Sequence, residues 1–67
     1  MTGQDFRQAR LKMGLSQTEL ASLMGVAQPH IARLEAGQTV TATTGAFIEL
    51  LLWIHQRGLL RAYRDTI

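Results

Sequence analysis

Residues 16–37 read SQTELASLMGVAQPHIARLEAG and contain two short helical patterns separated by one tight turn. Ser16 is followed three residues later by Glu19, which is the spacing of a capping box at the start of a helix. Apolar residues then recur at helical steps, at Leu20, Leu23 and Met24. Gly25 ends this helix, because glycine takes the left-handed conformation that a tight turn after a helix requires.

A second helix follows after only residues 25–27. It begins near Gln28 and Pro29, since the amide that proline lacks has no intrahelical partner in the first turn of a helix. It continues through Glu35, and Gly37 stops it. Two short helices joined by so short a turn form a helix-turn-helix, whose second helix is the one that enters a DNA major groove.

The N-terminal segment also has helical periodicity. Phe6, Ala9 and Met13 recur at three- and four-residue steps and predict a first helix from Asp5 to Met13, which Gly14 closes. No segment of the chain shows sustained strand alternation. The sequence therefore predicts an all-α fold, a compact bundle of about five short helices with a central helix-turn-helix.

The C-terminal segment begins with a polar, threonine-rich loop over residues 38–44. Thr43 or Thr44 can cap a fourth helix that runs from about residue 45 to residue 57. At about 100 degrees per residue, the face of this helix that we assign to the core holds Phe47, Leu50, Leu51 and Ile54. A short fifth helix follows Gly58.

Composition limits the chain to one small domain. Its 67 residues leave room for a single core, and we treat residues 1–67 as one domain. With 46% hydrophobic and 18% charged residues, the chain is too apolar for a disordered tail. The absence of cysteine excludes disulfides, thiolate catalysis and the usual structural zinc sites.

Charge and hydropathy exclude further classes of protein. A net charge of +2 is too small to establish a nucleic-acid partner by itself. The longest apolar run, residues 50–54, is far shorter than the roughly 20 residues that span a bilayer, so we expect no membrane and a cytoplasmic protein. His30 and His55 lie on different helices without clustered carboxylates, and with Ser16 they make no catalytic constellation. We expect no metal, no cofactor and no enzymatic activity.

Three segments of this pattern resemble the phage-repressor and Cro type of helix-turn-helix, also called Xre-like: GLSQTELA at residues 14–21, MGVAQP at 24–29 and IARLEAG at 31–37. The resemblance covers about half of the chain and implies a lambda-repressor-like bundle. Its inward positions are Leu20, Ala21, Val26, Ile31 and Leu34. Ala27 departs from the family, which favours a serine cap there, and the loss of a cap costs on the order of 1 kcal/mol.

The resemblance also implies which residues contact DNA. Gln17 would bind a backbone phosphate. The alternative interpretation is that Gln17 is a solvated residue of the helix. Gln28 and Arg33 are candidates for base contacts, since glutamine bonds adenine bidentately and arginine bonds guanine in the same way. Their alternatives are helix capping for Gln28, which precedes Pro29, and a phosphate contact for Arg33. Further candidates are Pro29 and His30 for bases, and Ser16 and Gln38 for phosphates.

Arg10 and Glu35 are expected to form a structural ion pair. In the family that the chain resembles, an arginine on the first helix often pairs with the glutamate that precedes the closing glycine. Partly exposed pairs contribute no more than about 1 kcal/mol. We therefore interpret this pair as one that fixes the angle between helices.

The predicted fourth helix is apolar on nearly all sides, with Ile48 and Leu52 on a second side and Trp53 on a third. All of these side chains could fill one small core, but exposed apolar patches usually mark interfaces. We favour a homodimer formed through residues 45–67. Its candidate interface residues are Ile48, Leu52, Trp53, Leu59, Leu60 and Tyr63.

These observations predict a sequence-specific DNA-binding regulator of transcription. It would be a small repressor that binds an inverted-repeat operator as a homodimer, and the resemblance to phage and mobile-element regulators implies autoregulation. The alternative is an antitoxin-like or anti-repressor module whose C-terminal helices bind a different protein. No small-molecule ligand is expected.

Overall fold

A computed structural model describes residues 1–65 of the chain, and these residues form five helices and no strand. The helices are α1 (Gly3–Lys12), α2 (Gln17–Met24), α3 (Gln28–Glu35), α4 (Ala42–Gln56) and α5 (Leu60–Asp65). α1 packs on both α3 and α4, α2 packs on α3, and α5 packs on α4. The predicted all-α bundle with a central helix-turn-helix is confirmed.

Side-chain caps begin the first two helices. The Thr2 hydroxyl accepts a hydrogen bond from the backbone N–H of Asp5, and the Asp5 carboxylate accepts one from the backbone N–H of Thr2. This capping box starts α1 at Gly3, so the predicted start at Asp5 was too late. The predicted box of Ser16 and Glu19 is present at the start of α2.

The turn between α2 and α3 has the predicted geometry. Gly25 has a φ of 72°, in the left-handed region that favours glycine. α3 then begins at Gln28 with proline in its first turn, and Ala27 supplies no side-chain cap. The expectation that this helix lacks the family's cap is confirmed.

α4 begins earlier than the sequence indicated. Its cap is Thr41, whose hydroxyl accepts a hydrogen bond from the backbone N–H of Thr44 at 3.2 Å. The predicted cap at Thr43 or Thr44 and the predicted start at Gly45 were therefore wrong. Several threonines in one loop offer equivalent caps, so the choice among them depends on where the packing of α4 against α1 places the first turn.

One core joins all five helices, and its largest fully buried side chains are Phe6, Leu20, Ile31, Leu34, Ile48 and Leu51. Leu50 is 57% exposed, so its predicted place in the core was wrong. Val26 is 36% exposed, which corrects its assignment as an inward position. α4 is apolar on several sides, and periodicity alone does not identify which side faces inward.

Two of the residues predicted to form the dimer interface are instead buried in the core. Ile48 is fully buried and Leu60 is 6% exposed, so neither side chain is available to a second subunit. Leu52 and Tyr63 are half-buried and pack against the core. Of the six predicted interface residues, Trp53 and Leu59 are the large side chains that remain about half exposed, at 49% and 52%.

Gly3 allows α1 to cross the end of α3 closely. A Cβ atom added at this position would lie 2.3 Å from the carbonyl oxygen of Leu34, a distance that only a shift of backbone could relieve. Gly45, inside α4, is different, because a Cβ atom there would meet only the Met1 side chain at an ordinary 3.9 Å. Replacement by alanine is therefore expected to have opposite effects on stability at these two positions.

Gly3→Ala is expected to lower the free energy of unfolding by about 2 kcal/mol, because the new methyl group forces α1 away from α3. Gly45→Ala serves as the matched control and is expected to raise it by up to about 1 kcal/mol, since alanine favours the helix interior. Urea denaturation followed by circular dichroism measures both. Equal stability of the two variants would contradict the close crossing.

Candidate nucleic-acid interface

Arg10 holds three parts of the chain together. Its Nε donates to Oε2 of Glu35 at 2.7 Å and its Nη2 donates to Oε1 at 3.1 Å, so the contact is bidentate. Its Nη1 donates to the backbone carbonyl oxygen of Leu15 at 2.9 Å. The C-terminal part of α1, the loop before α2 and the last residue of α3 are thereby fixed to one guanidinium group.

The pair is more buried than the sequence suggested. The side chains of Arg10 and Glu35 are only 11% and 6% exposed, which corrects the expectation of a partly exposed pair. Burial by itself raises the pKa of Glu35, but hydrogen bonds from Arg10 and Gln17 and the charges of Arg10 and Arg7 outweigh it. The pKa of Glu35 therefore lies below its ordinary value, and the carboxylate is ionised at neutral pH.

Gln17 extends this network towards the surface. Its Nε2 donates to Oε1 of Glu35 at 3.2 Å, and its Oε1 accepts from Nε2 of Gln28 at 2.8 Å. A continuous chain of hydrogen bonds thus runs from buried Arg10 to exposed Gln28. Because a carboxylate only accepts hydrogen bonds, Glu35 fixes which end of the Gln17 amide points inward, and Gln17 in turn fixes the amide of Gln28.

The outward face of α3 lies opposite its two buried residues, Ile31 and Leu34. Gln28, Pro29 and Arg33 are exposed on this helix, and His30 is half-buried. None of the described residues makes a salt bridge with Arg33. α3 therefore presents an amide, a proline ring and a guanidinium group to the solvent.

The remaining predicted phosphate-contacting residues lie at the ends of the two helices. Ser16 is exposed and caps α2, with its hydroxyl accepting from the backbone N–H of Glu19 at 3.0 Å. Gln38 is exposed just beyond α3, and its backbone N–H donates to the carbonyl oxygen of Arg33 at 3.0 Å. The structure thus joins the side chains of Gln17 and Gln28 by a hydrogen bond, and within residues 1–65 no side-chain hydrogen bond links Ser16 or Gln38 to them.

Two contacts outside this face were not anticipated. Arg64 of α5 donates to the Glu19 carboxylate of α2 at 3.0 Å, and both side chains are exposed. The hydrogen bonds from Ser16, and then the one from Arg64, lower the pKa of Glu19. The guanidinium carbon of Arg57 lies 4.7 Å from the centre of the Trp53 ring. The four-residue spacing of this second pair, at the C-terminal end of α4, is the sequence signal that could have identified it.

Residues 1–65 contain no group of three or more histidine, aspartate or glutamate side chains that could hold a metal ion. None of the helices in this part of the chain has both the length and the apolar character that crossing a membrane requires.

Known proteins resemble this chain over part of its length. A sequence model of the family described as helix-turn-helix matches residues 6–52, from α1 through most of α4. A segment of 31 residues is 55% identical to a Haemophilus influenzae protein named an uncharacterized HTH-type transcriptional regulator. The match covers 46% of this chain and 32% of that protein, so the two share about one third of the relative's length. No solved structure matches the chain.

Replacement of Glu35 tests the buried pair. Glu35→Gln leaves the Arg10 charge without its carboxylate and is expected to lower the free energy of unfolding at pH 7 by about 3 kcal/mol. Asp65→Asn is the matched control, since Asp65 is exposed at the end of α5 and makes no ion pair within residues 1–65. Its effect is expected to stay within about 0.5 kcal/mol.

The same pair predicts a pH dependence. Because the folded-state pKa of Glu35 is lowered, its contribution is complete above the unfolded value of 4.5 and disappears as pH falls through the folded value. The stability difference between the wild type and Glu35→Gln should therefore be constant near neutrality and shrink below pH 4.5. A difference that stays constant down to strong acid would show that the carboxylate charge contributes nothing.

Proposed function

The chain belongs to the helix-turn-helix family, and from this premise we propose that it is a DNA-binding regulator of transcription whose α3 enters the major groove. The observation that carries the proposal is the hydrogen-bond chain ending at Gln28. It orients an exposed amide at the start of the helix that this family places against DNA. A surface glutamine without such a role has no need of a fixed orientation, since solvent satisfies it in any rotamer.

Gln28 has the polar atoms that an adenine contact requires. One hydrogen of its Nε2 is engaged by Gln17, which leaves the second hydrogen and the Oε1 for a ligand. Adenine presents an N7 acceptor and an N6 donor in the major groove, and a glutamine amide matches both. We propose that Gln28 reads an adenine, held in position by Gln17.

Arg33 is the second proposed base-reading residue. It is exposed on the outward face of α3 and makes no salt bridge within residues 1–65, so its guanidinium group is available to the O6 and N7 of guanine. Pro29 offers an apolar surface to a thymine methyl group. His30 is half-buried, and we propose it only as a flanking contact to a base edge.

Gln17 also supports the proposed phosphate contacts. After its bond to Glu35, its Nε2 keeps one hydrogen that can be donated to a phosphate oxygen. It lies in the first turn of α2, where backbone N–H groups favour an anion. We propose that Gln17, Ser16 and Gln38 contact phosphates and set the position of α3 in the groove.

The proposed biological role is repression by occupancy of an operator, without catalysis. We propose that two copies bind an inverted repeat, because a two-fold dimer places its recognition helices on half-sites about 10 base pairs apart. The exposed Trp53, Leu50 and Leu59 support a dimer, since a small domain with such side chains exposed has surface left to bury. The proposed DNA-binding domain comprises residues 1–67, and the dimer forms through its C-terminal region.

Selection of bound sequences from a random DNA pool tests this proposal. The wild type is expected to select an inverted repeat, and Arg33→Ala is expected to lose about 1–3 kcal/mol on that site and to relax one symmetric base position. Arg61→Ala, on α5 and away from α3, is the control and should keep the same base preferences. Failure of the wild type to enrich any sequence would overturn sequence-specific binding.

The Gln17–Gln28 contact predicts coupled effects on DNA affinity. Gln28→Ala should weaken binding at one adenine position, whereas Gln17→Ala should weaken all sequences and also release Gln28. The double variant should therefore lose less than the sum of the single variants, by about 0.5–3 kcal/mol. Titrations of the selected operator at one salt concentration measure this difference, and strictly additive losses would mean that the two amides act independently.

A further inference from the structure

α4 has a second face that the core does not use. Ile48 and Leu51 on one side are buried, whereas Ala46, Leu50 and Trp53 on the other side are exposed. Leu50 is 57% exposed and Trp53 is 49% exposed. A tryptophan and a leucine one helical turn apart on an exposed face form a surface typical of the centre of a protein interface. We call this surface the outer face of α4.

Charges of opposite sign flank the tryptophan on this face. Glu49 lies four residues before Trp53 and Arg57 lies four residues after it, so each is about 6 Å from Trp53 along the helix axis. Both charged residues are exposed. Glu49 makes no ion pair within residues 1–65, and Arg57 lies over the Trp53 ring. The outer face is therefore negative on one side of Trp53 and positive on the other.

We propose that the outer face of α4 pairs with the same face of a second copy, with the helices antiparallel and the two-fold axis at Trp53. This interface rests on the homodimer proposed above and gives it a geometry. The two-fold axis places Glu49 of each copy opposite Arg57 of the other, because the two residues are equally distant from Trp53 in opposite directions. The pairing buries Leu50 and Trp53 from both copies and closes two ion pairs at the rim.

The charge pattern selects this arrangement over others. A parallel pairing would place Glu49 of one copy beside Glu49 of the other, and Arg57 beside Arg57. Like charges would then repel at both ends of the interface. A partner of different chemistry would need its own matching charges, whereas a second copy supplies them by symmetry. Arg57 stays stacked on Trp53 in this arrangement, so the cation is held where the opposing carboxylate arrives.

A charge exchange tests the interface. Glu49→Arg and Arg57→Glu each place like charges across the two-fold axis and are expected to raise the dimer Kd by about tenfold or more. The variant that carries both substitutions restores opposite charges and is expected to dimerise within about threefold of the wild type. Arg61→Glu, on α5, is the control for a change of net charge. Both residues are exposed, Glu49 within α4 and Arg57 as its C-cap, and circular dichroism measures whether each variant folds.

Two measurements report the result. Sedimentation equilibrium gives the dimer Kd, and the fluorescence of Trp53, the only tryptophan of the chain, should shift to shorter wavelength as dimer forms. A double variant that is as monomeric as the single variants overturns the antiparallel pairing. So does a wild-type chain that stays monomeric at high micromolar concentration, including one that dimerises only with a different protein.

DNA titrations separate failure of the interface from failure of the proposed function. If the interface is as proposed, Glu49→Arg should keep the wild-type affinity for a single half-site and lose the gain that the full inverted repeat provides. A wild type that dimerises through α4 but binds no DNA overturns the proposed function and keeps the interface. If the wild type binds the full repeat and Glu49→Arg and Arg57→Glu each bind it equally well, the function is kept and the interface is overturned.

Discussion

The ion pair between Arg10 and Glu35 is the contact on which the other parts of this small domain depend. The three nitrogens of one guanidinium group donate to both oxygens of one carboxylate and to a backbone carbonyl, and so tie α1, the loop before α2, and α3 together. Hydrophobic packing restricts the crossing angle of two helices only to within about 15–20°. A bidentate contact has a direction, and it sets the orientation of α3 relative to the rest of the bundle.

The same carboxylate links the interior to the surface. Glu35 accepts from Arg10 and from Gln17, and Gln17 accepts from Gln28, so the orientation of an exposed amide follows from a buried charge. Orienting a side chain before binding reduces the entropy lost on association. The contact that stabilises the fold and the one that prepares the proposed DNA-reading residue are therefore parts of one network.

α4 contributes one face to the core and the other to the proposed dimer interface. Its inner face completes the core through Ile48 and Leu51, while its outer face keeps Leu50 and Trp53 exposed. Because the helix packs directly on α1, which is bound to α3 through Arg10, a dimer formed on the outer face would fix the separation of the two copies of α3. Recognition of two half-sites at a set spacing requires such a fixed separation.

The sequence by itself determined the helix-turn-helix, because its signals act over three or four residues: the capping box at Ser16, the left-handed glycine at 25 and the apolar periodicity of α2 and α3. Its resemblance to known repressors also singled out Arg10 with Glu35 and the residues proposed to contact DNA. Only the tertiary structure decided which side of α4 faces the core. It also decided that α1 needs a glycine where it crosses α3, and that the amides of Gln17 and Gln28 form a hydrogen bond. These features depend on atoms far apart in the chain, whose positions are set by packing rather than by local spacing.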